Sequence, residues 1–332
     1  MRGAGGKMYS RRTLLATLGT GILARSFNVS AQQSARKIPR LGILLFNTPQ
    51  IEPIGPLQEG LKAYGYEDGK TITIDYRFAE GKFERLPDLA ADLVRLKPDV
   101  IFAYGGDVAP HAKKATSTIP IVAIVSNDPV QSGLVESIGR PGANITGLTL
   151  IYDDLAGKVL ELLREAAPGI SRVAVLWNPD HADPEFRETQ RAATAQGVQL
   201  QSVEVRRSDD FEAAFKAILT ERAQGLIIVS ARLLFQRRRQ IADFVATNRI
   251  PAAGGWGEWT KDGLLLTYGP NTAEPMRRAA TYVDKVLKGA RPAELPIERP
   301  AKFELVINLK VAKALGLTIS PTLLSRADAV IE

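Results

Sequence analysis

Short apolar runs alternate with helix-period segments along the chain, and this alternation occurs twice. Each half contains a continuous apolar run, a run that alternates polar and apolar residues, and a second continuous apolar run. They lie at residues 41–46, 71–76 and 100–104 in the first half, and at 173–177, 200–205 and 226–230 in the second. Strands that alternate with helices pair in parallel, so the pattern predicts an α/β protein of two similar lobes, each with a parallel sheet covered by helices.

The alternating run of each half predicts where that strand lies in its sheet. In the first half Ile72, Ile74 and Tyr76 share one face, whereas the neighbouring runs are apolar throughout. A strand with one polar face is typical of a sheet edge, and a wholly apolar strand is typical of the centre. We therefore expect residues 71–76 and 200–205 to form edge strands.

Turn-forming residues divide the chain at three places. They are RPG at 140–142, YGPN at 268–271 and the proline-rich stretch at 291–300. These breaks predict three crossings of the chain between the two lobes. The first lobe is expected to comprise residues 38–145 plus 271–300, and the second residues 146–270 plus 301–332.

The first 31 residues are typical of an export signal. Arg11-Arg12 precedes the apolar stretch 13–24, which is shorter than the roughly 20 residues that a membrane span needs. Val29-Ser30-Ala31 fits a small-residue cleavage site, which predicts cleavage near Ala31. The paired arginines resemble a twin-arginine signal, but Leu14 stands where phenylalanine is usual, so general secretion is the other route. An uncleaved amphipathic arm is the alternative to a signal.

Charge and cysteine content narrow the functional classes. The formal net charge is +7, but residues 1–31 carry five basic residues and no acid, so +2 remains on the rest of the chain. A charge this small gives little reason to expect binding to nucleic acid. The absence of cysteine excludes a disulfide, a lipid-anchored cysteine and a thiolate metal site. No other run approaches the ~18 apolar residues of a membrane span, and we expect a soluble periplasmic monomer without a cofactor.

Candidate binding residues follow the predicted strands. In open α/β sheets, ligands bind outside the carboxyl ends of the strands, where the loops of both lobes would face a common cleft. The candidate ligand-binding residues in these loops are Phe46, Asn47, Tyr104, Gly105, Gly106, Asp107, Asn127 and Asp128 in the first half, and Asn178, Asp183, Ser230, Arg232, Trp256 and Glu258 in the second.

Two of these loops suit an anion. Gly105-Gly106 precedes a predicted helix, where free backbone N–H groups favour a carboxylate; a tight turn that needs glycine is the equal alternative. Arg232 could pair with a carboxylate through two hydrogen bonds. The neighbouring Arg237-Arg238-Arg239 favours an exposed helix face as the alternative for Arg232.

Other candidates suit an amine or an apolar body. Asp128 and Glu258 could each receive an ammonium group, with a turn aspartate and a surface glutamate as the respective alternatives. Trp256, Tyr104 and Phe46 could stack on an aromatic ligand, although burial in the core is the alternative for each.

Signatures of catalysis are missing from the sequence. Histidine occurs only as His111 and His181, and no Gly-x-Ser-x-Gly, P-loop or Gly-x-Gly-x-x-Gly follows a predicted strand. We therefore expect neither an enzyme nor a metal site. A hydrolase that uses carboxylates alone leaves no spacing signature, so that class stays open at this level.

A series of motifs spans nearly all of residues 38–332. They are GLKAYGY at 60–66, RLPDLA at 85–90, ATSTIPIV at 115–122, DPV at 128–130, RPGANITG at 140–147, VLWNP at 175–179, YGPN at 268–271, KFELVINLK at 302–310 and ALGL at 314–317. In this order they resemble the ABC transporter substrate-binding protein family of the tryptophan/tyrosine transport type.

The resemblance implies a fold and a function. The fold is the type I periplasmic-binding-protein fold, with two flavodoxin-like lobes joined by three hinge crossings. The function is that of an exported component of an ABC importer, which captures a small organic solute, such as an aromatic amino acid, by hinge closure and presents it to an ABC permease in the inner membrane. The alternative is a soluble periplasmic ligand sensor that signals to a membrane partner.

Asp107 departs from the family pattern, which has a small neutral residue at this position. A carboxylate at a helix start is a good cap, but it would repel an anionic ligand. Two possibilities follow: Asp107 caps the helix and points away from the cleft, or the ligand carries an amine at this place.

Overall fold

The computed structural model describes residues 38–52, 54–150, 155–181, 184–271, 273–299 and 302–332. The expected export signal at 1–31, its cleavage site near Ala31 and the candidate Asp183 lie outside these residues. Residues Ile38–Glu332 form one compact unit.

Strands and helices alternate through the first half, as the apolar periodicity predicts. The elements are β1 (Arg40–Leu45), α1 (Gly55–Ala63), β2 (Thr73–Phe78), α2 (Leu86–Arg95), β3 (Val100–Tyr104), α3 (Ala109–Ala115), β4 (Ile121–Val125) and β5 (Ile145–Thr149), with a 3₁₀ turn at Phe83–Arg85.

The second half repeats this alternation and adds a C-terminal extension. Its elements are α4 (Leu155–Ala166), β6 (Arg172–Trp177), α5 (Glu185–Ala195), β7 (Gln199–Glu204), α6 (Phe211–Thr220), β8 (Gly225–Ile228), α7 (Arg232–Gln236), α8 (Arg238–Thr247), β9 (Ala252–Gly254), α9 (Glu258–Asp262), β10 (Leu266–Pro270), α10 (Ala273–Leu287), β11 (Phe303–Asn308), α11 (Leu309–Leu315), α12 (Pro321–Leu324) and β12 (Ala329–Ile331), with 3₁₀ turns at Ser208–Asp210 and Pro292–Glu294.

Within the described residues, these strands form two sheets. The first sheet has the order β2-β1-β3-β4-β5, and the second has the order β12-β11-β10-β9-β8-β6-β7. All neighbouring strands are parallel except β10 and β11, which run antiparallel. The first sheet has the flavodoxin-like order, and β7-β6-β8-β9-β10 repeats it in the second. The predicted α/β class is confirmed, and β2 and β7 are edge strands as expected.

The chain passes between the two sheets three times. It leaves the first sheet after β5, and it returns after β10, because α10 packs against α1 and the strands of the first sheet. It enters the second sheet again at β11. Proline and glycine breaks at 268–271 and 291–300 flank the later two passages, as their turn chemistry predicts.

The first sheet extends four residues beyond the boundary expected at residue 145. The segment that follows residue 145 was assigned to the second lobe, but Ile145–Thr149 pair in parallel with Ile121–Val125. Gly147 permits this pairing, because a Cβ atom there would lie only 1.9 Å from the Ala123 carbonyl oxygen. By sheet membership, Thr146–Thr149 belong with the first half.

Each sheet has helices packed on both faces. In β1, Leu41, Ile43 and Leu45 face a core shared with α1 and α10, whereas Leu44 faces a core shared with α2 and α3. The second sheet is likewise packed between two apolar cores. This burial leaves the strand ends as the places where polar side chains can gather. Among the described helices, none is both long and apolar enough to cross a membrane.

Candidate functional site

A cavity of about 470 Å³ lies at the carboxyl ends of strands from both sheets. Tyr104 ends β3, and Asp107 follows it in the loop before α3. Arg232 begins α7 after β8, and Trp256 lies in the loop after β9. Loops that follow strands of both sheets therefore line one cavity.

Arg232 joins the two walls. Its Nε donates to Asp107 Oδ2 at 2.5 Å and its Nη2 to Asp107 Oδ1 at 2.9 Å, while its Nη1 donates to Glu52 Oε1. The guanidinium also lies 4.7 Å from the centre of the Phe46 ring. Burial opposes the charged form of Arg232, but the two carboxylates outweigh it, and the pKa of the guanidinium rises above its ordinary value. Arg232, Asp107 and Glu52 form the cross-cavity ion triad.

Glu52 is held in place by the first loop of the chain. The backbone N–H of Asn47 donates to Glu52 Oε2 at 3.0 Å, and its side-chain amide donates to Oε1 at 3.1 Å. Only 6% of the Glu52 side chain is exposed. The sequence analysis singled out Phe46 and Asn47 in this loop and missed Glu52, although Glu52 is the only ionisable residue between β1 and α1.

Gly105 leaves the space that Arg232 occupies. Its φ of +121° lies in a region that favours glycine, and a Cβ atom there would lie 2.1 Å from Arg232 Nη2 and 2.6 Å from Asp107 Oδ1. The positive φ therefore favours glycine at this position, and the absence of a Cβ atom lets the ends of the Arg232 and Asp107 side chains approach the loop.

Asp107 does not cap the helix that follows it. The N-cap of α3 is Val108, and no side-chain hydrogen bond caps this end. Of the two possibilities for Asp107, a cap that points away from the cavity does not match this geometry, because its carboxylate turns into the cavity to meet Arg232.

Arg238 is a second guanidinium at the cavity. It was expected on an exposed face with Arg237 and Arg239, but it lines the cavity and its Nε donates to Asp262 Oδ2 at 2.8 Å. Its guanidinium lies 4.5 Å from the centre of the Phe235 ring. Arg239 remains exposed over 85% of its side chain. The two neighbouring arginines of α8 therefore differ: Arg238 lines the cavity, whereas Arg239 is exposed to solvent.

Aromatic and titratable groups complete the walls. Trp256 meets Phe235 edge to face, with ring centres 5.4 Å apart. Burial raises the pKa of Tyr104 above its ordinary value, and the nearby carboxylates of Glu52 and Glu258 raise it further, so the phenol stays protonated. Burial lowers the pKa of His181, which the sequence placed in a loop without a role.

The candidates therefore divide into those at the cavity and those behind it. The structure brings six of them together as lining residues: Tyr104, Gly105, Asp107, Arg232, Trp256 and Glu258. Phe46 is fully buried and packs against Phe83 with ring centres 4.2 Å apart, which is its core alternative. Asn47 acts on the cavity only by holding Glu52.

Two further candidates of the first-sheet loops form hydrogen bonds with loop backbone, one of them at the candidate Gly106. The Asn127 amide donates to the Gly106 carbonyl at 3.3 Å and fills the space beside that glycine. Asp128 accepts from the backbone N–H groups of Val130 at 2.8 Å and Gln131 at 3.0 Å. These contacts match the turn alternative for Asp128.

The remaining candidates of the second-sheet loops also have local partners. Asn178 Oδ1 accepts from the backbone N–H of Asp180 at 2.9 Å. The Ser230 backbone N–H donates to Glu185 Oε2 at 2.8 Å. Burial raises the pKa of Glu185 to about 7. Ser230 therefore donates a hydrogen bond to the buried Glu185 carboxyl group, which the sequence analysis did not select.

A metal site does not arise from this arrangement. In the part of the chain that the structure describes, no three His, Cys, Asp or Glu residues are grouped so that they could hold a metal ion. Glu52 and Asp107 instead pair with Arg232, and Asp262 pairs with Arg238.

Comparison with known proteins gives a consistent result. Residues 51–331 match the family model described as ABC transporter substrate binding protein. A tyrosine-binding protein of Clostridioides difficile (strain R20291) is 26% identical over 261 residues, which cover 78% of this chain and 75% of that protein.

Two solved structures share the fold over their whole length. A conserved domain protein from Vibrio cholerae O1 biovar El Tor superposes with a TM-score of 0.82 at 27% identity, covering 89% of this chain and 100% of that one. An ABC domain in complex with L-Trp from Streptococcus pneumonia has a TM-score of 0.82 at 22% identity, covering 88% and 99%. The type I periplasmic-binding-protein fold is thereby confirmed, and the chain belongs to the ABC transporter substrate-binding protein family.

Proposed function

We propose that this protein is the exported solute-binding component of an ABC importer. It captures a small organic solute between its two sheets, closes over it, and presents it to a permease in the inner membrane. The observation that carries this proposal is the 470 Å³ cavity with walls from both sheets, across which Arg232 reaches Asp107 and Glu52. A ligand that contacts both walls favours the closed state, which a permease can recognise.

The walls indicate the kind of solute. Apolar side chains from both halves line the cavity: Ile51, Ile124, Leu150, Phe235, Trp256 and Met276. Such walls suit an aromatic or other apolar body, with a few polar groups to fix its orientation. Relatives described as tyrosine-binding and as a complex with L-Trp support aromatic amino acids as the first solutes to test.

Binding is tested by thermal shift on the purified protein. The panel contains aromatic amino acids, other amino acids, aromatic acids, amines and nucleosides. A ligand at 100 times its Kd should stabilise the folded state by about 2.7 kcal/mol. Small-angle X-ray scattering with the same ligand should show a smaller radius of gyration. The absence of any shift across the panel contradicts small-solute capture.

Export and import are tested in the producing cell. Fractionation should recover the shortened protein in the periplasm, and deletion of the gene should abolish uptake of the identified ligand. A protein found only in the cytoplasm contradicts the proposal. Ligand binding with normal uptake after deletion instead supports a periplasmic sensor.

A further inference from the structure

In the described part of the chain, the side chains that line the cavity include one more carboxylate than cation, and the exposed Arg239 lies 3.9 Å from Asp262 outside this lining. Among the described lining residues, the carboxylates are Glu52, Asp107, Glu258 and Asp262, and the cations are Arg232, Arg238 and Lys261. His181 also lines the cavity, but burial lowers its pKa, so its imidazole is neutral near pH 7. A partly buried excess charge is costly unless an opposite charge compensates it.

Both guanidinium groups already face acceptors of the protein. Arg232 uses Nε, Nη1 and Nη2 for Asp107 and Glu52, and its Nη2 also donates to the Tyr104 carbonyl at 3.4 Å. Arg238 directs Nε to Asp262 and Nη1 to the Phe235 carbonyl at 3.1 Å. A ligand carboxylate pairs best with an open guanidinium fork. At Arg232 it would first have to displace a carboxylate of the protein.

The Asp107 carboxylate occupies the place where a ligand anion would approach the β3 loop. Its Oδ1 lies 2.6 Å from the position of a Cβ atom on Gly105. An anion brought to this loop would meet a like charge at close range and low solvent exposure, which makes its binding unfavourable.

The same walls suit a cation on an apolar body. Trp256 and Phe235 line the cavity, and aromatic rings attract ammonium groups as well as apolar groups. The Arg238 guanidinium already lies 4.5 Å from the centre of the Phe235 ring, which leaves Trp256 as the main aromatic contact for an ammonium group. Tyr104 adds a protonated phenol, whose oxygen can accept a hydrogen bond from an ammonium group.

We propose that this cavity selects an organic cation, a primary amine on an aromatic or apolar body without a free carboxylate. This inference rests on the proposed function, because it concerns the ligand of the same cavity. The ammonium group compensates the excess carboxylate charge while the body packs on the apolar walls. The carboxylate of an amino acid adds a negative charge where the guanidinium groups are already engaged.

The test compares ligands that differ only in the carboxylate. Isothermal titration calorimetry at pH 7 on the full chain compares tyramine with L-tyrosine, and tryptamine with L-tryptophan. We expect each amine to bind at least tenfold more tightly than its amino acid. Equal or tighter binding of the amino acids overturns this inference and leaves the proposed function intact. If none of these compounds and no solute of the wider panel binds, this inference and the proposed function are overturned together.

A charge-removing variant tests the cause of the preference. Asp107→Asn removes one cavity carboxylate and frees part of the Arg232 fork, so we expect the ratio of amine to amino-acid affinity to fall at least tenfold. Asp128→Asn removes the same charge from a turn outside the cavity and should leave the ratio unchanged. An unchanged ratio in Asp107→Asn overturns the role given to cavity charge. If that variant does not fold, the titration of the unmodified protein decides alone.

Discussion

Glu185 is a carboxyl group that the fold buries at an energetic cost. It lies in the first turn of α5, is 7% exposed, and has a pKa raised from 4.5 to about 7 by burial. The folded state therefore holds the proton more tightly than the unfolded state does. Its contribution to stability is complete below pH 4.5 and is lost as the pH rises through 7.

We expect Glu185→Gln to reduce the change in the free energy of unfolding between pH 4.5 and pH 7. The rise in the pKa of Glu185 from 4.5 to about 7 corresponds to a difference of roughly 3 kcal/mol in the free energy of unfolding between low and high pH. Urea denaturation at intervals from pH 4 to pH 8 measures the free energy of unfolding. Glu212→Gln is the control, since Glu212 also lies in the first turn of a second-half helix but is exposed. A variant that loses as much stability between pH 4.5 and 7 as the unmodified protein contradicts the prediction.

Sequence reasoning found the residues of the site unevenly, for a physical reason. It selected Tyr104 because it ends a predicted strand, and Asp107 and Arg232 because they follow predicted strands, where parallel sheets bind their ligands. It missed Glu52 and Arg238, which lie farther from any strand end. Their side chains reach the cavity through loop geometry and helix orientation, which residue spacing along the chain does not encode.

At the scale of elements, the contact between α1 and α10 is unusually close. A Cβ atom on Gly60 would lie 2.8 Å from both the Ala280 Cβ and the Arg277 carbonyl oxygen. Alanine is favoured over glycine inside a helix by about 1 kcal/mol, but overpacking of a tight contact costs about 1–3 kcal/mol. The two effects oppose each other at this position.

We expect Gly60→Ala to destabilise the protein, because the Arg277 oxygen belongs to the backbone and cannot move aside cheaply. Thermal unfolding should show a lower Tm. The control is Gly55→Ala at the start of the same helix, where a new Cβ meets nothing within 4 Å and the Tm should hold or rise slightly. A Tm that rises in Gly60→Ala shows that helix propensity dominates and contradicts the close-packing explanation.

The pattern of elements was largely predictable, since it depends on local periodicity. Apolar runs identified the central strands, and alternation identified β2 and β7 as edges. The predicted boundary at residue 145 follows from the RPG turn at 140–142, and it leaves most of β5 outside the first lobe. Whether such a segment pairs depends on the approach of β4, which is a contact between distant parts of the chain.

At the scale of the whole molecule, the cross-cavity ion triad links the two sheets. Arg232→Ala leaves Glu52 and Asp107 facing each other without a shared cation. Losing one partner of a buried pair costs about 3–5 kcal/mol when the remaining charge stays buried. Separation of the two walls would let water reach both carboxylates and relieve most of this cost.

We therefore expect Arg232→Ala to populate a more open molecule rather than to unfold it. Small-angle scattering without ligand should give a larger radius of gyration, and calorimetry should show a loss of stability smaller than that range. Arg239→Ala on the next helix is the control, because its side chain is exposed. A radius of gyration equal to that of the unmodified protein argues against a bridging role for Arg232.

The position of α10 late in the chain has a consequence for folding during synthesis on the ribosome. This helix covers the apolar face of the first sheet beside α1, yet about 210 residues separate the end of α1 from its start. At a synthesis rate of 5–20 residues per second, roughly 10–40 s pass between the synthesis of α1 and that of α10. During most of its synthesis, the nascent chain therefore exposes the apolar face of the first sheet that α10 later covers. Chaperones have time to bind this face before the native fold can form.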